Sequence, residues 1–147
     1  MHDDKQEHAE RVVTDLKAKV NTNLPESMVI DFAQYQLFSK DVPTVAIVYE
    51  AGEKSIAAVV WNLAPGQENE RHYHPAMDHL HVILSGRAEY HLGKGAPITV
   101  GTGQAVMVPS GVVHGIKNVG TELCSYLAIT SPGNYEKIRV AGDPTGA

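Results

Sequence analysis

Histidine is the residue type whose distribution in this sequence points most directly to chemistry. Four of the eight histidines fall within residues 71–82, at His72, His74, His79 and His81. A solvated loop would account for this run without any chemistry. A metal site would account for it as well, because neutral imidazole is a good ligand for several divalent transition metals.

The spacing of these four histidines favours the metal site. Side chains two residues apart on a β-strand share a face and lie about 7 Å apart. His72 and His74 therefore form one pair, and His79 and His81 form another. Residues 75–78 can turn the chain and bring the two pairs together. Packed histidines need hydrogen-bond partners and repel one another when protonated, and a bound cation removes both problems.

The elements that must position these histidines are predicted to be strands. After Pro25, short segments rich in Val, Ile, Tyr and Thr alternate with breaks rich in Gly, Pro, Asn and Ser, which is typical of strands joined by turns. Seven or more short strands with no helix between them indicate an all-β antiparallel sandwich or barrel. The predicted strands are Thr44–Tyr49, Ser55–Leu63, His79–Leu84, Ala88–Leu92, Ala105–Val108, Gly115–Val119 and Cys124–Thr130.

One amphipathic α-helix is predicted near the amino terminus, over residues 4–20, where apolar residues recur at helical spacing. Pro25 disfavours helix at the residue before it, so the helix is expected to end in residues 21–25. We therefore predict a helical extension over residues 1–24, a β-barrel domain over residues 25–140 and a loose carboxy-terminal tail over residues 141–147.

Composition excludes several classes of function. The formal net charge is −5 with only 12 Lys and Arg residues, and no basic patch is present, so nucleic acid is not an expected partner. Cys124 is the single cysteine, which excludes an internal disulfide and a cysteine-based zinc site. The sequence has no signal-peptide pattern and no apolar run that could span a bilayer, so we expect a cytoplasmic protein without membrane contact.

Two motifs in this sequence resemble the signatures of the cupin family. The first begins at Gly66, continues through His72-Tyr73-His74 and His79, and ends at Gly86. It matches the cupin spacing throughout, but histidine stands at position 79 where the family usually has glutamate. The second runs from Gly103 through Pro109-Ser110-Gly111 and His114 to Asn118, again with the family's spacing. The resemblance implies a cupin double-stranded β-helix, a jelly-roll barrel, here with one amino-terminal helix.

The resemblance also implies a ligand set. It makes His72, His74 and His114 ligands of one divalent metal ion per chain, with His79 in the place of the glutamate. The alternative for His79 is a position just outside a three-histidine site. Fe2+ is the expected metal, and Mn2+, Zn2+, Ni2+ and Cu2+ suit the same imidazole ligands.

Three functions follow from an all-histidine site. A non-haem dioxygenase would cleave a small enolisable carbonyl or phenolic substrate chelated to the metal, and all-histidine cupins include such enzymes. A redox-neutral Lewis-acid enzyme of the polyketide cyclase, lyase or isomerase type is the first alternative, with Zn2+ or a similar ion. A non-catalytic small-molecule or metal-binding protein is the second. Because no glutamate stands beside the metal, the predicted catalytic residues are His81, Glu68 and Tyr90, as a base or as supporting groups.

The resemblance further implies a homodimer. Small cupins commonly associate through their amino-terminal strands, so the predicted interface is the apolar region around Met28–Tyr49. The other expected partner is the small-molecule substrate.

Overall fold

The structure is a computed structural model, and it describes residues 13–14, 17–21 and 28–141. Within these ranges the chain forms twelve strands and one 3-10 helix, Phe32–Tyr35. The strands are β1 (Val13–Thr14), β2 (Lys17–Asn21), β3 (Thr44–Tyr49), β4 (Ala57–Leu63), β5 (Glu68–Tyr73), β6 (His79–Ser85), β7 (Arg87–Leu92), β8 (Ile98–Gly101), β9 (Ala105–Val108), β10 (His114–Lys117), β11 (Cys124–Thr130) and β12 (Ile138–Arg139). The part of the chain that the structure describes holds no helix that is long and apolar enough to cross a membrane.

Two sheets form the barrel. The larger sheet has the order β1-β2-β3-β4-β11-β6-β9, and the smaller has the order β12-β5-β10-β7-β8. Neighbouring strands are antiparallel, except for the parallel pair β2 and β3. Non-consecutive neighbours such as β4 and β11 show that the chain crosses between the sheets, as in a jelly roll. The predicted all-β jelly-roll barrel is confirmed.

Alternation along the strands separates the core from the surface. On β6, His79, His81 and Ile83 are buried, whereas the residues between them are only partly buried. An apolar cluster that includes Ile83, Tyr90 and Ile116 fills the space between the sheets. The inward histidines continue the same faces, so the core packing fixes the direction in which the imidazoles point.

A glycine makes the turn between β6 and β7 possible. Gly86 has a φ of +75°, a conformation that L side chains rarely adopt. A Cβ atom at this position would also clash with the backbone carbonyl oxygen of Leu123. Both constraints require glycine at this corner of the barrel.

The helix predicted over residues 4–20 is wrong wherever the structure describes this span. Residues 13–14 and 17–21 form strands β1 and β2. β2 pairs with the edge of β3, with Ala18 opposite Thr44 and Asn21 opposite Ile47. Hydrogen bonds to an open sheet edge outweigh a weak local helix propensity. The remainder of this span, and the predicted tail apart from Ala141, lie outside the described residues.

Most of the predicted strands are confirmed, three of them with their predicted bounds: β3, β9 and β11. Five strands were not among the predicted strand segments: β1 and β2, which lie where the helix was predicted, and β5, β8 and β12. β5 reads Glu-Asn-Glu-Arg-His-Tyr and β12 has only two residues, so neither shows the apolar pattern of a strand. They form because partner strands supply the ladder hydrogen bonds.

Candidate metal centre

Five buried imidazoles lie at one end of the barrel. His72 belongs to β5 and His74 directly follows it, His79 and His81 belong to β6, and His114 begins β10. Each is between 1% and 6% exposed. His114 lies directly opposite His72 in the register between β10 and β5. The structure therefore brings together all four histidines predicted as ligands, with His81 beside them.

The distances among the rings are short. Ring centroids are 4.1 Å apart for His74 and His79, and 4.2 Å apart for His72 and His114. The possible ligand atoms of His72, His74 and His114 all lie within 4.8 Å of one another, and so do those of His79, His81 and His114. His114 is common to both groups, so it stands at the centre of the cluster.

A β-bulge in β5 sets the direction of its side chains. His114 and Ile116 on β10 are two residues apart, but their partners on β5, His72 and Asn69, are three apart. The extra residue shifts the alternation, so that both Asn69 and His72 are buried. Sequence alternation gives the common face of His72 and His74, but it does not place Asn69 on that face.

Backbone carbonyls orient three of the rings. Nδ1 of His72 is 2.6 Å from the carbonyl oxygen of Glu70, and Nδ1 of His114 is 3.0 Å from that of Val112. Nδ1 of His74 is 2.9 Å from the carbonyl oxygen of Glu136. A carbonyl only accepts, so each Nδ1 carries the proton and each Nε2 carries the lone pair with which imidazole coordinates a metal.

The remaining ring nitrogens fit a metal ion. Nε2 of His79 and Nε2 of His114 are buried and have no hydrogen-bond partner within the described residues. A buried polar atom without a partner is costly, and coordination of a cation satisfies it. The imidazole set suits a divalent transition metal rather than calcium or magnesium, which prefer oxygen.

Burial favours the neutral form of four of these rings, those of His72, His79, His81 and His114. Desolvation lowers the pKa of His72 to about 2 and that of His79 to about 3, with further lowering by the neighbouring imidazoles. Desolvation also lowers the pKa of His81 and of His114. Neutral imidazole is the form that binds metal, so the protein holds these side chains ready for coordination.

The three residues predicted to assist catalysis occupy different places. His81 lies on the cavity wall, with Nδ1 3.1 Å from the hydroxyl oxygen of Tyr90. Tyr90 is fully buried below it, and burial raises the pKa of its hydroxyl far above the ordinary value. Glu68 is exposed at the start of β5 and does not line the cavity.

A cavity of about 300 Å³ opens beside the imidazoles. Its wall includes apolar side chains such as Val45, Val59 and Trp61. It also includes two residues that sequence reasoning missed, Tyr135 and Lys137. Both belong to the segment before β12, which folds back along β5 and pairs Ile138 with Tyr73. No local sequence pattern predicts that this segment pairs with β5, so the sequence alone could not place these two side chains at the cavity.

Comparison with known proteins agrees with this geometry. The family model described as "Cupin domain" matches residues 59–130. A protein with a double-stranded β-helix domain from Klebsiella pneumoniae subsp. pneumoniae MGH 78578 is 31% identical, with a TM-score of 0.72 over 78% of this chain and 93% of that one. A conserved protein of unknown function from Streptococcus pyogenes is 26% identical, with a TM-score of 0.64 over 77% of this chain and 94% of that one.

A more distant likeness shows the fold alone. Oxalate decarboxylase from Bacillus subtilis is 24% identical, with a TM-score of 0.54 over 59% of this chain and 24% of that one. Among curated proteins, no relative matches this chain.

Proposed function

This chain belongs to the cupin family, and on that premise we propose that it is a metal-dependent enzyme, a non-haem dioxygenase acting on a small enolisable carbonyl or phenolic substrate. His72, His74, His79 and His114 would hold one divalent ion, with Fe2+ as the proposed metal. Such an ion supplies Lewis-acid polarisation of chelated oxygen atoms and, as iron, an electron donor for dioxygen.

The proposal rests on which ionisable side chains line the cavity and how deeply they are buried. The two carboxylates among the described lining residues, Glu50 and Glu53, are exposed, whereas the imidazoles are buried. Tyr90 keeps its proton at neutral pH, and Glu68 lies outside the cavity. The site therefore offers no buried carboxylate beside the imidazoles that could act as a general base. This favours a reaction in which the substrate is activated by chelating the metal ion.

The remaining wall residues assist such a reaction in two ways. Val45, Val59 and Trp61 form an apolar surface that displaces water from a bound substrate. Tyr135, which is 55% exposed, lies at the mouth with its ring centroid 5.4 Å from that of His74. A flat, small substrate would fit between these surfaces.

The test is dioxygen uptake by Fe2+-loaded protein offered a panel of 1,3-dicarbonyl and phenolic compounds. One dioxygen should be consumed per carbon–carbon bond cleaved, with both oxygen atoms retained in the products. The variant His114→Ala should abolish uptake, and His91→Ala, which alters a partly exposed histidine on β7, should not. Conversion of substrate under anaerobic conditions would instead indicate the redox-neutral alternative. Binding without turnover would indicate a binding protein.

We also propose a homodimer that uses the region around Met28–Tyr49. Within this region, Met28 and Val29 are about 70% exposed. Residues 30–35 pack on the outer face of the larger sheet, where Tyr35, Val48 and Leu127 share one apolar cluster. Light scattering of the purified protein at micromolar concentration tests this, and Val29→Lys should shift the molecular mass towards that of the monomer.

A further inference from the structure

The buried imidazoles form two groups that overlap at His114. In the first group, the possible ligand atoms of His72, His74 and His114 lie within 4.8 Å of one another. In the second group, those of His79, His81 and His114 do the same. His79 is therefore grouped with His81 in this structure. The cupin spacing, which places His79 in one ligand set with the two histidines of the first group, does not account for this arrangement.

The second group contains two ring nitrogens that call for a cation. Nε2 of His79 and Nε2 of His114 are buried and have no hydrogen-bond partner within the described residues. The two side chains are only 6% and 1% exposed. A buried polar nitrogen without a partner destabilises the fold, and coordination to one ion would satisfy both nitrogens at once.

His81 offers the third nitrogen of this group. Its Nδ1 lies 3.1 Å from the hydroxyl oxygen of Tyr90, which can accept a hydrogen bond from Nδ1–H. With the proton on Nδ1, Nε2 carries the lone pair, as in the neighbouring rings that donate to backbone carbonyls. The His81 ring is 5.1 Å from the ring of Tyr126, which is fully buried. The second group therefore reaches further into the barrel than the first.

His114 prevents the two groups from binding an ion at the same time. Its Nδ1 is 3.0 Å from the carbonyl oxygen of Val112, so only Nε2 is left for a metal. One nitrogen lone pair binds one ion. The cluster can therefore hold a single ion in one of two positions, but it cannot hold two ions that both use His114.

We propose that the metal ion has a second position, deeper in the barrel, where His79, His81 and His114 are its ligands. An ion in this position is withdrawn from His72 and His74. Three neutral imidazoles suit a divalent transition metal such as Zn2+. This inference goes beyond the proposed function, because it concerns metal binding and requires no turnover.

The double variant His72→Ala/His74→Ala isolates the deeper position, because it removes the two ligands that belong to the first group alone. It should still bind one Zn2+ per chain. Adding His81→Ala should weaken Zn2+ binding at least about tenfold in competition with a chromophoric chelator. Adding His91→Ala instead, which alters a partly exposed histidine on β7, is the matched control and should change the affinity less than about twofold.

Anomalous diffraction from Zn2+-loaded crystals locates the ion directly. In the double variant, the ion should lie about 2.0–2.1 Å from Nε2 of His79, His81 and His114. Circular dichroism melting verifies that each variant is folded. If the double variant is unfolded, the same diffraction measurement is made on His72→Gln, which removes one ligand of the first group and keeps a polar side chain. The ion should again be bonded to His81.

Two results would overturn the inference. One is a Zn2+ affinity of the double variant that changes less than about twofold when His81→Ala is added. The other is an ion more than about 3 Å from both ring nitrogens of His81 in the crystals of the variant that folds. Dioxygen uptake is measured on the Fe2+-loaded parent protein, so the failure of this inference and the failure of the proposed function are distinguishable.

Discussion

Acidification should destabilise the metal-free protein strongly, because the folded chain buries imidazoles that the unfolded chain can protonate. The ordinary histidine pKa of about 6.5 applies to the unfolded chain. In the fold, the pKa is about 2 for His72 and about 3 for His79. Between these values and 6.5 the unfolded state binds more protons, so stability is complete above pH 6.5 and is lost as the pH falls below it.

The size of the loss at pH 5 follows from the unfolded pKa alone, since both folded values lie well below 5. Each buried imidazole contributes about 1.4 kcal/mol per pH unit over about 1.5 units, or about 2 kcal/mol. His72 and His79 together lower the free energy of unfolding by about 4 kcal/mol. The lowered pKa values of His81 and His114 add in the same direction. Total domain stability is about 5–15 kcal/mol, so the metal-free protein should approach unfolding near pH 5.

Urea unfolding of chelator-treated protein at pH 7.5 and pH 5 measures this loss. In His79→Gln, the difference between the two pH values should shrink by about 2 kcal/mol, because one buried imidazole is gone. His91→Gln, which alters a partly exposed histidine on β7, should behave like the parent protein. A parent protein that loses less than about 1 kcal/mol, or a His79→Gln variant that loses as much as the parent, would refute the reasoning.

Four further predictions concern the metal and the frame that holds it. His114→Ala should weaken Zn2+ binding at least about tenfold by competition with a chromophoric chelator, since it removes the ring common to both histidine groups; tight binding comparable to that of His91→Ala would contradict this. Removal of metal with EDTA should lower the melting temperature by several degrees, because a ligand present at about 100 times its Kd adds about 2.7 kcal/mol to the free energy of unfolding. An unchanged melting curve would contradict a metal site. Gly86→Ala should lower the free energy of unfolding by more than about 2 kcal/mol, because the added Cβ atom meets both a positive φ and the carbonyl oxygen of Leu123. Gly103 also has a positive φ but has open space around it, so Gly103→Ala should lower the free energy of unfolding by only about 1 kcal/mol. Equal losses in the two variants would show that the clash at residue 86 is relieved. Asn118→Ala should lose about 2–3 kcal/mol in urea unfolding, because its amide group donates to two carbonyls and accepts from one backbone N–H, and its metal content should stay that of the parent.

Local patterns in the sequence were sufficient to predict the barrel and the convergence of the histidines. Strand alternation puts His72 with His74 and His79 with His81, and turn residues such as Gly86 mark where the strands end. These are local properties, because they depend on residues next to one another in the chain. The spacing of the two motifs then carried the cupin assignment that the comparisons support. The ligand set remains a prediction from that assignment.

Features that depend on residues far apart in the chain became visible only in the folded structure. Residues 17–21 became a strand because the edge of β3 offered hydrogen bonds that the local sequence does not reveal. Lys137 and Tyr135 reached the cavity because the carboxy-terminal segment returns to β5, and Glu136 thereby supplies the carbonyl that orients His74. Pairing across a sheet joins residues far apart in the chain, so a local pattern cannot encode it. The sequence thus specified which side chains could bind a metal, and the long-range pairing specified the walls of the cavity around them.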